Sequence, residues 1–295
     1  MSQTISAPMS KTRNPTMKIH PSVVTPAKRK ANPSARTPDA TANAPEVGCM
    51  TVMARVLVLG HPDSRDPGLV AERAGDAGVD LDVWIAAEAD APPRELSGYD
   101  GVVVLGGGIN VKDAPDTPWL RDEIALIGDA VAREMPVLGI CLGHQLLAAA
   151  TGGEVARSPE PEVGWYEVEV TPEGRDDALF GALPERFTAY QWHSYIAHPP
   201  EGAAVLARNA TCLQGYRLGE RAWGVQFHPE VTERVLATWI PAYATDPDAA
   251  RTGGDPDRAL AEAPRRLPAW NAVGRLLFDR YLAVVARSRS RAAAT

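Results

Sequence analysis

The chain has 295 residues, 45% hydrophobic and 23% charged, with a net charge of −7 at neutral pH, enough to build one large domain or two small ones. Its three cysteines (Cys49, Cys141, Cys212) show neither a disulfide framework nor a zinc signature; this sets a reducing compartment, and so the cytoplasm, as the expectation. An acidic body without a basic stripe argues against nucleic acid as the main partner, and no secretory or membrane segment is expected: the uncharged stretch Met135 to Gly153 contains Pro136, His144, Gln145 and four glycines.

Residues 1–52 read as a basic, Pro/Ser/Thr-rich tail that cannot bury apolar surface and is expected to be disordered. The first fifty carry seven Lys or Arg against Asp39 and Glu46, leaving −12 on the remainder. From Ala54 the pattern becomes regular. "ARVLVLG" is an apolar run closing on glycine, "LVAERAGDAGV" an amphipathic helix and "LDVWIA" the next strand. "YDGVVVLGGG" is a third strand ending in three glycines, and "PWLRDEIALIGDAVARE" a second helix. "PVLGI" then gives a fourth strand, and "CLGHQLLAAATGG" a helix stopped by paired glycines. Strands alternating with helices predict an α/β fold with a mostly parallel sheet covered on both faces. Ligands on such sheets sit at the strands' carboxyl ends, where Gly106 to Gly108 and Cys141 fall.

The second half changes character: "GWYEVEVT", "RFTAYQWHS", "AAVLARN", "CLQGYRLG" and "RAWGVQF" are short β-like runs, followed by a helix at "VTERVLATWI". Residues 53–243 thus form the expected body, 244–268 a polar loop, and 269–295 a closing helix and tail.

"GICLGHQLLA" places Cys141 between two glycines, at a strand-to-helix turn. A strand, a Gly-x-nucleophile-x-Gly turn and a helix form a nucleophile elbow, and the helix N-terminus behind Cys141 favours an anionic nucleophile. Read alone, the string fits a small buried cysteine equally well. A cysteine nucleophile needs a base. His20 lies in the tail, His61 lacks an obvious acidic partner, His144 lies in the elbow helix, where packing is the common fate, and His198 precedes two prolines, as loop residues do. His193 and His228 remain. His228 has the better case, because Glu230 lies two positions on and projects to the same side of an extended segment, where a carboxylate can fix the imidazole tautomer.

Together, "GICLGHQLLA", "LGGGIN" and "GVQFHPEVT" resemble the class I (triad-type) glutamine amidotransferases, whose fold is flavodoxin-like, over about Ala54 to Ile240. "EVGW", "QWHS" and "QGYR" point to the stand-alone branch similar to the glutaminase half of GMP synthase. The resemblance implies a Cys141, His228, Glu230 triad acting on the side-chain amide of glutamine or on a γ-glutamyl compound, without cofactor or metal. It further implies oxyanion donors at the N–H groups of Gly107 and Leu142, and substrate contacts at Gln145, Ser194 and Tyr195. Gly106-Gly107-Gly108 stands where family members often have Gly-Gly-Pro, which leaves the loop's resting geometry open. A separate synthetase subunit receiving ammonia, an independent γ-glutamyl hydrolase or transpeptidase, and a silent regulatory protein on the same fold are the three readings; the intact triad residues speak against the last.

Overall fold

The computed structural model describes residues 53–85, 87–88, 95–253 and 256–292. The tail expected over residues 1–52, with Cys49, lies outside them. In the first half the chain builds β1 (Arg55–Gly60), α1 (Leu69–Ala77), β2 (Asp80–Ile85), β3 (Gly101–Val104), α2 (Pro118–Ala132), β4 (Val137–Ile140) and α3 (Leu142–Ala150). Every residue of β3 and β4 is buried, as expected of strands covered on both faces. Along β1 the alternation of side chains divides the core. Val56 and Val58 pack against Leu69 and Val70 of α1, whereas Leu57 and Leu59 meet Leu120 and Ile127 of α2 and Leu146 of α3.

The second half supplies β5 (Glu154–Val170), α4 (Pro172–Arg175), β6 (Arg186–His198), β7 (Ala204–Arg208), β8 (Leu213–Leu218), β9 (Ala222–Val225), α5 (Glu233–Tyr243), α6 (Pro247–Arg251) and α7 (Pro256–Ala292). The nine strands form one sheet in the order β2-β1-β3-β4-β9-β8-β7-β5-β6. Its first five strands are parallel and the other four join antiparallel. β9 returns beside β4, with Ile140 opposite Val225, so the two strands deliver their following residues to the same edge. His198, expected in a loop, is the last residue of β6.

Residues 244–268 do not form the expected polar loop. α6 and the first turns of α7 occupy much of this stretch, and α7 begins well before residue 269. Pro264 and Pro268 read as helix breakers, but Ala259, Ala263, Leu267 and Trp270 recur at helical spacing and are all buried, so packing outweighs propensity there. Farther along α7, Trp270, Val273, Leu277, Tyr281 and Val284 bury the face expected from the sequence, and the Tyr281 hydroxyl donates to the carbonyls of Val102 (2.8 Å) and Pro136 (3.1 Å). No helix among the described residues is long and apolar enough to cross a membrane.

Tyr281→Phe removes the donor that ties α7 to the strand ends while keeping the ring. A cost of about 1–2 kcal/mol is expected, read in thermal melts as a fall of about 3–6 °C.

Candidate active site

The turn after β4 is the tightest place in the sheet. Cys141 adopts φ +52° and ψ −103°, a conformation that costs a non-glycine residue about 1–3 kcal/mol. The turn closes only because its flanking residues lack side chains: a Cβ on Gly139 would lie 2.3 Å from the Gly143 carbonyl oxygen, and one on Gly143 2.3 Å from that of Val104. The Cys141 amide donates to the Val225 carbonyl (2.8 Å), which locks the elbow to β9, and its thiol lies 3.6 Å from the Trp192 carbonyl.

β9 leads into the segment that carries His228. Its backbone is tied on several sides. The His228 amide donates to the Tyr190 carbonyl (3.0 Å), the Leu69 amide to the Glu230 carbonyl (3.0 Å), the Trp270 indole to the His228 carbonyl (3.0 Å) and Asn271 to the Val231 carbonyl (2.6 Å). Thus held, His228 Nδ1 donates to Glu230 Oε1 across 2.8 Å, with both side chains buried. Burial alone would pull the imidazole down, but the charges and hydrogen bonds of Cys141 and Glu230 lift it well above its ordinary 6.5. Among the described residues no protein group satisfies Nε2 by hydrogen-bond geometry. The Trp239 ring meets the imidazole edge-on, with centroids 4.9 Å apart.

The glycine run after β3 completes the wall. A Cβ on Gly106 would lie 2.9 Å from His228 Cε1, so only glycine lets the loop rest against the imidazole. Cys141 borders two cavities. One, of about 380 Å³, is lined by Gly106, Gly107, Trp192, His228 and Trp239. The other, of about 130 Å³, is lined by Gly107, Leu142, Gln145, Ser194 and Tyr195. All eight residues singled out in the sequence therefore gather around one thiol, apart from Glu230, which stands behind the imidazole. Gln145 Nε2 donates to the Tyr195 carbonyl (2.9 Å), whereas the Ser194 hydroxyl is engaged by Asp248 of α6. The Lys112 ammonium and the Arg157 guanidinium lie 5.4 and 5.7 Å from the Tyr195 ring centroid and give that cavity a cationic rim.

Two further histidines are paired with carboxylates. His193 Nε2 meets Glu162 Oε2 at 3.0 Å and its Nδ1 meets the Tyr195 carbonyl at 3.2 Å. Glu162 also accepts from Asn209 (2.6 Å) and Gln214 (2.8 Å), so the "EVGW" and "QGYR" motifs meet in a buried brace beneath the Trp192–Tyr195 strand. With Cys212, these residues form the one cluster among the described residues whose spacing suits a metal. Their atoms are already engaged, and burial with the Glu162 charge pushes the Cys212 thiol up to about 12. His61, read as lacking an acid, has one: its Nε2 lies 3.3 Å from Glu123 Oε2, 62 residues away. His144 is packed as expected, and burial pushes its imidazole down to about 3. Sequence reading missed Trp239, Glu123 and the cavity-lining Trp192. Trp192 alone carried a signal, inside "QWHS".

A family model for class-I glutamine amidotransferase matches residues 68–241. The chain is similar to the glutamine-hydrolyzing GMP synthase of Aeropyrum pernix, with 39% identity over 58% of this chain, and spans a third (33%) of that protein's length. It is 34% identical to one separately encoded subunit of the glutamine-hydrolyzing GMP synthase of Sulfolobus acidocaldarius, over 50% of this chain and 76% of the relative. Among solved structures it resembles a glutamine amidotransferase from Thermotoga maritima, with a TM-score of 0.69, 30% identity and coverage of 77% of this chain and 97% of the other.

Gly139→Ala and Gly143→Ala place a Cβ against backbone that cannot yield. Each is expected to cost at least about 2 kcal/mol, a drop in melting temperature of more than about 5 °C, and to slow alkylation of Cys141 by iodoacetamide; thermal melts and mass spectrometry read both.

Proposed function

The chain belongs to the class I glutamine amidotransferase family, and on that premise we propose that it hydrolyses the γ-amide of glutamine, or of a γ-glutamyl compound, through a thioester on Cys141. The observation that carries this reading is the alignment of a strained, cavity-facing thiol with an imidazole whose far nitrogen is held by Glu230. Cys141 Sγ attacks the amide carbon, and the oxyanion forms toward the N–H groups of Gly107 and Leu142, where stabilisation of developing charge is worth most. His228 gives its proton to the departing ammonia; the C–N bond breaks as the C–S bond remains. Water, deprotonated by His228, then attacks the thioester. Glutamate leaves and the thiol regains its proton, so one glutamine and one water yield one glutamate and one ammonia. Glu230 orients the imidazole and stabilises its charged form.

The smaller cavity suits the amino-acid end of the substrate. Gln145 and the backbone at Ser194 and Tyr195 supply polar groups there, and the cationic rim favours a carboxylate. What receives the ammonia divides two readings. A protein serving a separate synthetase would gain from an idle site until docked, and the relatives that are single subunits of a GMP synthase favour that arrangement. The lack of a synthetase region within the family match and the stand-alone motifs favour independent action, which we adopt.

Glutamate release by the purified chain, from glutamine or more strongly from a γ-glutamyl peptide, is therefore expected in a steady-state assay. No turnover on either substrate, with Cys141 still alkylatable, moves the reading to a partner-dependent subunit. Cys141→Ala and Cys141→Ser should reduce turnover by several orders of magnitude with unchanged melting temperature; substantial turnover by Cys141→Ala rejects the thioester. In electrophile trapping, His228→Ala should abolish labelling of Cys141 more fully than His193→Ala, and the reverse order reassigns the base.

The pH profile gives an independent check. Glu230 raises the His228 pKa, so Glu230→Gln lowers it. The alkaline limb of the kcat/KM profile, which reports loss of the imidazolium, should then move to lower pH.

A further inference from the structure

The buried pair His61–Glu123 has no place in the chemistry above. Both side chains are fully buried, and they lie directly beneath the glycine run. His61 Nδ1 lies 2.6 Å from the Gly106 carbonyl oxygen while Nε2 lies 3.3 Å from Glu123 Oε2. A carbonyl can only accept, so Nδ1 carries a proton and donates it to Gly106. The proton on the other side, between Nε2 and Oε2, can rest on either partner without disturbing that bond. Glu123 thus fixes the state of the imidazole, and the imidazole fixes the Gly106 carbonyl.

The consequence passes through one peptide plane. No described peptide is cis, and in a trans peptide the carbonyl and the following N–H point in opposite directions. Holding the Gly106 oxygen against His61 therefore turns the Gly107 N–H away from His61. The loop also leans on the ring itself: a Cβ on Gly107 would lie 2.8 Å from His61 Cγ. On its other side the run borders Cys141 and His228. Gly108 stands where a proline would have stiffened the run, so the backbone needs an anchor from elsewhere.

We propose that His61, held by Glu123, is a positioning residue that aims the Gly107 N–H at the oxyanion, supplying from beneath the loop the rigidity that a proline would supply within it. This rests on the reading of Gly107 as an oxyanion donor given above. His61 touches neither substrate nor thiol; it acts through the Gly106–Gly107 peptide. A hydrophobic replacement keeps the packing and loses the aim. Asparagine keeps a donor close to the position of Nδ1.

The test compares His61→Leu with His61→Asn in the full chain. Loss of an oxyanion donor costs about 10²–10³ in kcat; for loss of its aim, His61→Leu should lower kcat by about 10–100-fold with KM within about threefold. Iodoacetamide alkylation of Cys141, a displacement that builds no oxyanion, should stay within about twofold of wild type, and His61→Asn should recover most of kcat. Wild-type kcat in His61→Leu, a loss that His61→Asn does not recover, or alkylation falling as far as kcat would each overturn the proposal. Should His61→Leu fail to fold because Glu123 is left unpaired, the His61→Leu/Glu123→Leu pair carries the same comparison. An inactive wild-type chain with an alkylatable Cys141 counts against the reading of the site instead. Amide hydrogen exchange in the 105–109 segment then decides the inference by itself: faster exchange in His61→Leu than in wild type and His61→Asn supports it, and equal rates reject it.

Discussion

A cysteine forced to positive φ between two glycines that admit no Cβ is the constraint on which this site depends. The strain is local, but it is opposed from several directions: α3 begins at the next residue, β9 accepts the Cys141 amide, and the Val104 backbone closes against Gly143. Relaxing the turn would require moving β3, β4 and α3 together, and close-packed interiors resist such movement. The thiol is therefore presented to a cavity rather than absorbed into the core that surrounds it.

The rest of the site follows from sheet order. β1, β3, β4 and β9 run parallel, so His61, the glycine run, Cys141 and the His228 segment all emerge at one edge. Their contact requires β9 to lie beside β4, although some eighty residues of antiparallel sheet separate the two along the chain. That excursion also brings the Trp192–Tyr195 backbone over the thiol. α7 then closes the other side, where Trp270 and Asn271 hold the carbonyls of His228 and Val231.

Among the described residues three buried histidines are paired with carboxylates: His228 with Glu230, His193 with Glu162 and His61 with Glu123. A carboxylate partner does not by itself distinguish a base from a brace. The second ring nitrogen does. In His193 and His61 it meets a backbone carbonyl, and a nitrogen so engaged cannot exchange a proton with substrate. In His228 it has no such partner among the described residues, and the ring lines the cavity with Cys141. The same side-chain pair thus serves to hold backbone in two places and is free for proton transfer in the third.

The sequence by itself determined what depends on neighbours along the chain: the alternation of strands and helices, the elbow, the glycine run and the His228–Glu230 spacing. Each is a local pattern whose meaning does not change with distant context. Residues 256–268 were misread for the complementary reason. Pro264 and Pro268 argue against a helix locally, and only burial of Ala259, Ala263 and Leu267 against the sheet overrules them. The partner of His61 was illegible because Glu123 lies on α2, where the sequence offers no reason to bury a carboxylate. Trp239 was no more visible, since its place against His228 depends on how α5 packs. Which histidine holds a free nitrogen was decided by tertiary structure alone, because a hydrogen bond to a backbone carbonyl leaves no trace in the identity of the residue that accepts it.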